Sequence, residues 1–229
     1  NNKTVKSITI ERCEIVDKIG CGIAIGPSTT RVHKINIIDV ISINNPTVSS
    51  GVIGGKGCVE VAIDSDLTTI DRCNLTYSQI ELTSTYTPSA NRYIRYNICN
   101  SVIKTLEYGT TYSDARPKSY VYLNVSNVVC ERKMQISGIH AQVVNCRFVC
   151  TMPFSCPDLK IVNSTILLPY TETTDENTGT ITGECTPFYA FIPSTLTDGS
   201  LKTVYTITGC DFVLDTDTIL ADSITGYAV

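Results

Sequence analysis

Five acidic residues in this chain have the types and spacing that could support catalysis. In "VEVAI" (59–63) the alternation of Val59, Val61 and Ile63 turns Glu60 to the opposite side of a strand. "QIEL" (79–82) does the same for Glu81, and "KTLEY" (104–108) offers Glu107 as a possible third. Asp64 and Asp66 follow "VEVAI" in what reads as a turn. Two carboxylates held about 5 Å apart perturb each other's pKa, and that separation suits a nucleophile and acid acting on one glycosidic bond. A second group could bind rather than react. Tyr86, Tyr108 and Tyr112, with Asp114 and Arg116 nearby, lie in or beside the longest loop-like stretches, where flat amphipathic rings can stack on sugars. An outward strand face carries polar residues whatever its role, so the meaning of either group depends on the elements that place it.

Other chemistries find little support. His33 and His140 are the only histidines; His33 starts a strand pattern, His140 sits in a turn-like "SGIHAQ", and both read as structural. The glycine-rich "GVIGGKG" (51–57) lacks the ending and the following helix that phosphate binding requires, and reads as a loop. Eleven cysteines include no C-x-x-C pair, so no metal and no other cofactor is expected. The net charge of −4, with Lys and Arg scattered, leaves no electrostatic footprint for nucleic acid. No apolar run is long enough to span a bilayer, and no membrane insertion is expected.

The positioning elements emerge from a repeat. "SITIERCEIV" (7–16), "TTIDRCNLTY" (68–77), "QVVNCRFV" (142–149) and "YTITGCDFV" (205–213) share one pattern. Taking the small residue as position zero, apolar residues recur at −5, −3 and +2, with a turn-tolerant residue at −1. The zeros are Cys13, Val40, Cys73, Ser101, Val128, Cys146, Ser164 and Cys210, preceded by Arg12, Asp39, Arg72, Asn100, Asn127, Asn145, Asn163 and Gly209. Asn, Asp and Gly tolerate the left-handed conformation of a sharp turn between two strands, whereas arginine does so less readily. Successive zeros are 27, 33, 28, 27, 18, 18 and 46 residues apart. A fixed strand motif with loops of variable length is the mark of a solenoid, in which equivalent residues stack in columns at about 4.8 Å. A β-sandwich is the competing fold.

On "INIIDVISI", "YNICNSVIK", "LKIVNSTILL" and "TITGCDFVLD" the chain resembles the pectate-lyase-like right-handed parallel β-helix superfamily over nearly its whole length. The resemblance implies an all-β, single-stranded right-handed parallel β-helix of about eight coils with long loops, spanning 1–229 as one domain. It also implies that Asn100, Asn127, Asn145 and Asn163 form a stacked asparagine ladder. With three strands per coil, another strand falls at "GIAIG" (22–26), "VEVAI", "QIEL", "KTLEY", "MQISG" (134–138) and "FYAFI" (188–192). Glu60 and Glu81 then become neighbours on successive coils. "PYTETTDENTGTITGECT" (169–186) becomes an insertion within the 46-residue interval, while the 18-residue intervals look short for three strands. The column puts Cys13, Cys73, Cys146 and Cys210 inside, with Cys130 and Cys150 also inward, as unpaired thiols suited to a reducing cytosol. A Cys146–Cys150 or Cys156–Cys185 bridge stays open as an alternative.

Three functions compete. The first is a virion fibre or tailspike module, closest in kind to phage β-helix modules. It would be assembled in the host cytoplasm, displayed on the virion surface as a homotrimer with other virion proteins, and directed at a bacterial surface polysaccharide. The second is a polysaccharide lyase or glycosidase; the paired aspartates and Gly-His-Gly of polygalacturonase-like relatives are missing here. The third is a secreted adhesin at the bacterial surface. Residues 216–229 are expected to cap the last coil or to join subunits.

Overall fold

The computed structural model describes residues 4–16, 23–25, 31–43, 59–61, 65–82, 93–108, 121–150, 154–156, 158–175, 178–185, 188, 190–191 and 205–215. Among the described residues there is no helix, and none that could cross a membrane. The strands in chain order are β1 (Thr4–Glu11), β2 (Glu14–Val16), β3 (Ile23–Ile25), β4 (Arg31–Ile38), β5 (Ile41–Ile43), β6 (Val59–Val61), β7 (Ser65–Asp71) and β8 (Asn74–Leu82). Next come the two longest, β9 (Ile94–Tyr108) and β10 (Val121–Ile136), and then β11 (His140–Val144), β12 (Arg147–Val149), β13 (Phe154–Ser155) and β14 (Asp158–Val162). The last are β15 (Thr165–Thr174), β16 (Ile181–Cys185), β17 (Ala190–Phe191), β18 (Tyr205–Thr208) and β19 (Asp211–Asp215).

Pairing is parallel and follows the repeat. One ladder runs β1–β4–β7–β9–β10–β11–β14–β18 through the residues before each turn. A second runs β2–β5–β8–β9–β10–β12–β15–β19 through the residues after it. A third joins β3, β6 and the later parts of β8, β9 and β10, and β13 pairs with β17 in the same sense. The molecule is thus an all-β fold on a long parallel sheet, compatible with a β-helix. The 18-residue intervals are not too short: β11, β12 and β13 follow one another within residues 140–155 because short links replace the long loops. β13 was not legible as a strand, being two residues long.

The repeat's turn is the same at every occurrence. Arg12, Asp39, Arg72, Asn100, Asn127, Asn145, Asn163 and Gly209 all have positive φ, between 49° and 62°. For an ordinary L-residue this conformation costs about 1–2 kcal/mol, which Asn and Gly largely avoid. The asparagines also bond along the stack: Asn100 Nδ2 donates to Asp71 Oδ1 (2.9 Å), Asn127 Nδ2 to Asn100 Oδ1 (3.1 Å) and Asn145 Nδ2 to Asn127 Oδ1 (3.3 Å). Arg72 offsets its backbone cost differently. Its guanidinium donates to both carboxylate oxygens of Asp39, at 2.9 and 3.2 Å, and also contacts Asp71. At Gly209 an added Cβ would lie 2.5 Å from Asn163 Oδ1, so any side chain there would displace the Asn163 amide.

The core is made from positions −5, −3, 0 and +2. Ile35, Ile37, Val40, Ile70, Leu75, Ile98, Ile103, Leu123, Val125, Phe148 and Ile161 are all essentially fully buried. Thr68 stands where an apolar residue is expected and is buried with its hydroxyl 2.6 Å from that of buried Ser65, so the polar pair satisfies itself. The cysteine column holds in the middle and opens at the ends. Cys73, Cys130, Cys146 and Cys156 are buried free thiols, whereas Cys13 is exposed and Cys210 half-buried. Cys13 joins β1 to β2 and Cys210 joins β18 to β19, and among the described residues these end strands have a ladder neighbour on one side only. Burial pushes the Cys130 thiol up to about 12. The insertion at 169–186 forms the one antiparallel pair among the described residues, β15 with β16. Its turn is closed by Asp175 and Gly179. Tyr170 crosses Gly183 so closely that a Cβ there would meet the tyrosine hydroxyl at 1.9 Å.

Candidate recognition face

Alternation in the first ladder sends −5 and −3 inward, so −6 and −4 point out. Because the ladder is parallel and in register, each outward position becomes a column. Position −4 gives Thr9, Asn36, Thr69, Asn97, Asn124, Gln142, Lys160 and Thr206, each paired with the next. Seven of these eight are uncharged amides or hydroxyls. Two of their contacts run along the stack: Asn36 Nδ2 donates to Thr9 Oγ1 at 3.1 Å, and Asn124 Nδ2 to Asn97 Oδ1 at 3.0 Å.

Position −6 lies about 6.8 Å away along the same strands. It gives Ser7, Lys34, Leu67, Arg95, Tyr122, His140 and Asp158. The Tyr122 and His140 rings are stacked, with centroids 4.6 Å apart and planes 10° apart. Tyr93, immediately before β9 and 53% exposed, lies 5.8 Å from Tyr122 at a tilt of 56°. The Arg95 guanidinium sits 5.9 Å from the Tyr93 ring centre, and Asp158 Oδ2 is 3.5 Å from His140 Nδ1. A short aromatic shelf thus has a cation at one end and a carboxylate at the other, beside a row of neutral hydrogen-bonding groups. The signal for it lay in the repeat. Reading −4 and −6 down the aligned repeats gives both columns, whose polar and aromatic residues change in type from repeat to repeat.

The acids chosen from sequence divide. Glu60, Glu81 and Glu107 are strand partners in direct register in the third ladder, as the strand assignment required. The side chains of Glu60 and Glu81 lie outside the described residues. Glu107 is paired: Lys133 Nζ donates to its carboxylate at 2.7 Å, helped by an irregularity between Cys130 and Lys133 that shifts Lys133 onto Thr105. Asp66 is not in the turn beside these acids but in β7 of the first ladder, where its Oδ2 is 2.5 Å from His33 Nδ1. His140 likewise begins a strand instead of sitting in a turn.

Of the tyrosine group, Tyr108 is 2% exposed and packs against Tyr96 with centroids 5.8 Å apart. The ring offered to a sugar is therefore part of the core. Parity accounts for this, since Leu106 and Tyr108 continue the inward alternation that leaves Glu107 outside. Asp64, Tyr86, Tyr112, Asp114 and Arg116 lie outside the described residues, as does 216–229. Among the described residues, no group of three or more His, Cys, Asp or Glu could hold a metal ion.

Comparison with protein-family models, curated proteins and solved structures gives no match for this chain.

Proposed function

We propose that the chain is a module of a virion fibre or tailspike, folded as a single right-handed parallel β-helix of about eight coils and directed at a bacterial surface polysaccharide. The observation that carries this reading is the outward face of the first ladder, where amides and hydroxyls recur at −4 beside the aromatic shelf at −6. Hydroxyl-rich ligands are matched by groups that both donate and accept, and sugar C–H faces by tyrosine rings. The buried thiols of Cys73, Cys130, Cys146 and Cys156 fit assembly in a reducing host cytoplasm, before display on the virion with other virion proteins. The resemblance to pectate-lyase-like β-helices supplies the handedness, and the likeness in kind to phage β-helix modules supplies the trimeric precedent.

Light scattering tests the assembly. A homotrimer has a mass of about 75 kDa, three times the 25.0 kDa chain, with and without reductant. A monomer under both conditions contradicts the self-trimerising module.

A second reading, polysaccharide cleavage, is favoured by the register of Glu60, Glu81 and Glu107. In this reading Glu60 and Glu81 are the reacting pair, and Glu107 is held by Lys133. Loss of polysaccharide cleavage in Glu60→Gln and Glu81→Gln, with unchanged binding, is its expected signature. An absence of cleavage by the unsubstituted protein across a polysaccharide panel contradicts it.

A further inference from the structure

We infer that Tyr93, Tyr122 and His140, with Arg95, Asp158 and the amides of Asn97 and Asn124, form one binding subsite for a chain of predominantly uncharged sugars lying along the stack. The inference rests on the glycan-recognition reading and moves recognition from the loops to the strand face itself.

Three features of the face select this ligand. The first is shape. Tyr93 tilts at 56° to Tyr122, while the stacked Tyr122 and His140 rings are nearly parallel, so the exposed ring of Tyr93 forms the entry to a shelf whose deeper members are already held by each other. A half-exposed tyrosine braced in this way offers apolar contact area with little conformational entropy left to lose. The second is the adjoining −4 column. Asn97 and Asn124 are held in line by their mutual hydrogen bond, leaving the Asn124 carbonyl oxygen to accept and an Asn97 amide proton to donate. Such paired capacity suits hydroxyl groups. The third is charge. Arg95 and Asp158 stand at opposite ends of the shelf and offset each other, with Arg95 already over the Tyr93 ring. A polyanion would meet Asp158, and a polycation would meet Arg95 and, in the adjoining column, Lys160. A neutral polymer meets hydrogen-bonding groups at both ends.

The repeat distance adds directionality. Equivalent groups recur about every 4.8 Å along the stack, so contacts on one sugar can be echoed by the next coil's residues, and longer chains should gain by multivalency. Binding should therefore strengthen with oligosaccharide length over the few coils that carry the shelf.

The test uses the whole chain and an array of purified bacterial O-polysaccharides and capsular polysaccharides, neutral and acidic, followed by titration calorimetry on the best binder. The unsubstituted protein is expected to retain at least one uncharged polysaccharide. Tyr93→Ala should weaken that binding about tenfold, Tyr93→Phe about twofold or less, and Asn124→Ala about threefold to fivefold. Thr178→Ala, in the turn of the β15–β16 hairpin, where its contacts are to Asp175 and Thr180, should leave it unchanged. Exposed Tyr93 is the primary probe because its removal spares the core, and a circular dichroism melt accompanies each variant. Retention of acidic polysaccharides alone overturns the inferred ligand class. Full binding by both Tyr93→Ala and Asn124→Ala overturns the subsite while leaving the glycan-recognition reading standing. Failure of the unsubstituted protein to bind any polysaccharide overturns both. A change in solution mass on Tyr93→Ala assigns the face to contacts between copies of the chain and also overturns the subsite.

Discussion

Phe148 and Phe212 are the same residue at the same position, +2, of two repeats, and they stand in the same column with Ile166 between them. Phe148 is fully buried and meets Phe154 edge-on, while Phe212 is 49% exposed. Nothing in the residue type separates them. The difference is that β12 is paired on both sides, by β10 and β15, whereas among the described residues β19 is paired on one side only, by β15. Its neighbours Val213 and Leu214 are exposed too. In a stacked fold the core belongs to the interface between repeats, so a residue's energetic weight is set by its place in the stack.

The sharpest way to test that contrast is truncation at both places. Phe148→Ala is expected to destabilise the fold by about 3–5 kcal/mol, and Phe212→Ala by no more than about 1 kcal/mol, read as shifts in the guanidinium unfolding midpoint. Equal losses would mean that Phe212 is covered in solution.

A smaller contrast lies in the turn column. Asn127 is bonded on both sides, to Asn100 and from Asn145, at φ 54°. Asn127→Ala should cost about 2–3 kcal/mol, combining lost hydrogen bonds with left-handed strain, and Asn127→Gly should recover about 1 kcal/mol of it. At the end of the column, Gly209→Ala should cost about 1–2 kcal/mol, through its backbone and its approach to Asn163.

Arginine in a left-handed turn is the exception in the same column. Arg72→Asn should stabilise the protein by about 0.5–1 kcal/mol in high salt, where the exposed ion pairs to Asp39 and Asp71 contribute least. A loss of stability at every salt concentration would show that those ion pairs outweigh the strain.

The smallest effect is acid sensitivity at Asp71. Burial pulls its pKa upward, but hydrogen bonds from Asn100 and Cys99, with the Arg72 guanidinium, hold it below the ordinary 3.8. A carboxylate depressed in the folded state contributes stability above pH 3.8, and that contribution fades as pH falls through the folded value. Unfolding midpoints measured from pH 6 to pH 2 should fall less steeply for Asp71→Asn than for the unsubstituted protein.

Much of the fold was legible because one local event recurs. The eight −1 residues all take positive φ, even the two arginines, since the turn is dictated by the strands on either side as much as by the residue in it. Parity within each strand then predicts burial at −5, −3 and +2. The limits were physical too. Parity cannot say where a stack ends, so Cys13 was expected inside and is exposed. Nor can it give the length of a connection, which is why the 18-residue intervals looked too short and Asp66 was placed in a turn instead of β7. The candidate face was missed for a different reason. Its columns consist of mixed residue types, Arg95, Tyr122, His140 and Asp158, that become a group only when stacked.

The stacking of the first ladder is the claim on which both the scaffold and the face depend. Paired nitroxide labels on genetically encoded keto amino acids, which spare the eleven cysteines, can measure it. With one label at Asn36 and the other moved from Asn124 to Gln142 to Lys160, the distance is predicted to grow by about 4.8 Å at each step. Distances that do not rise in that order would contradict a single parallel stack and the recognition face with it.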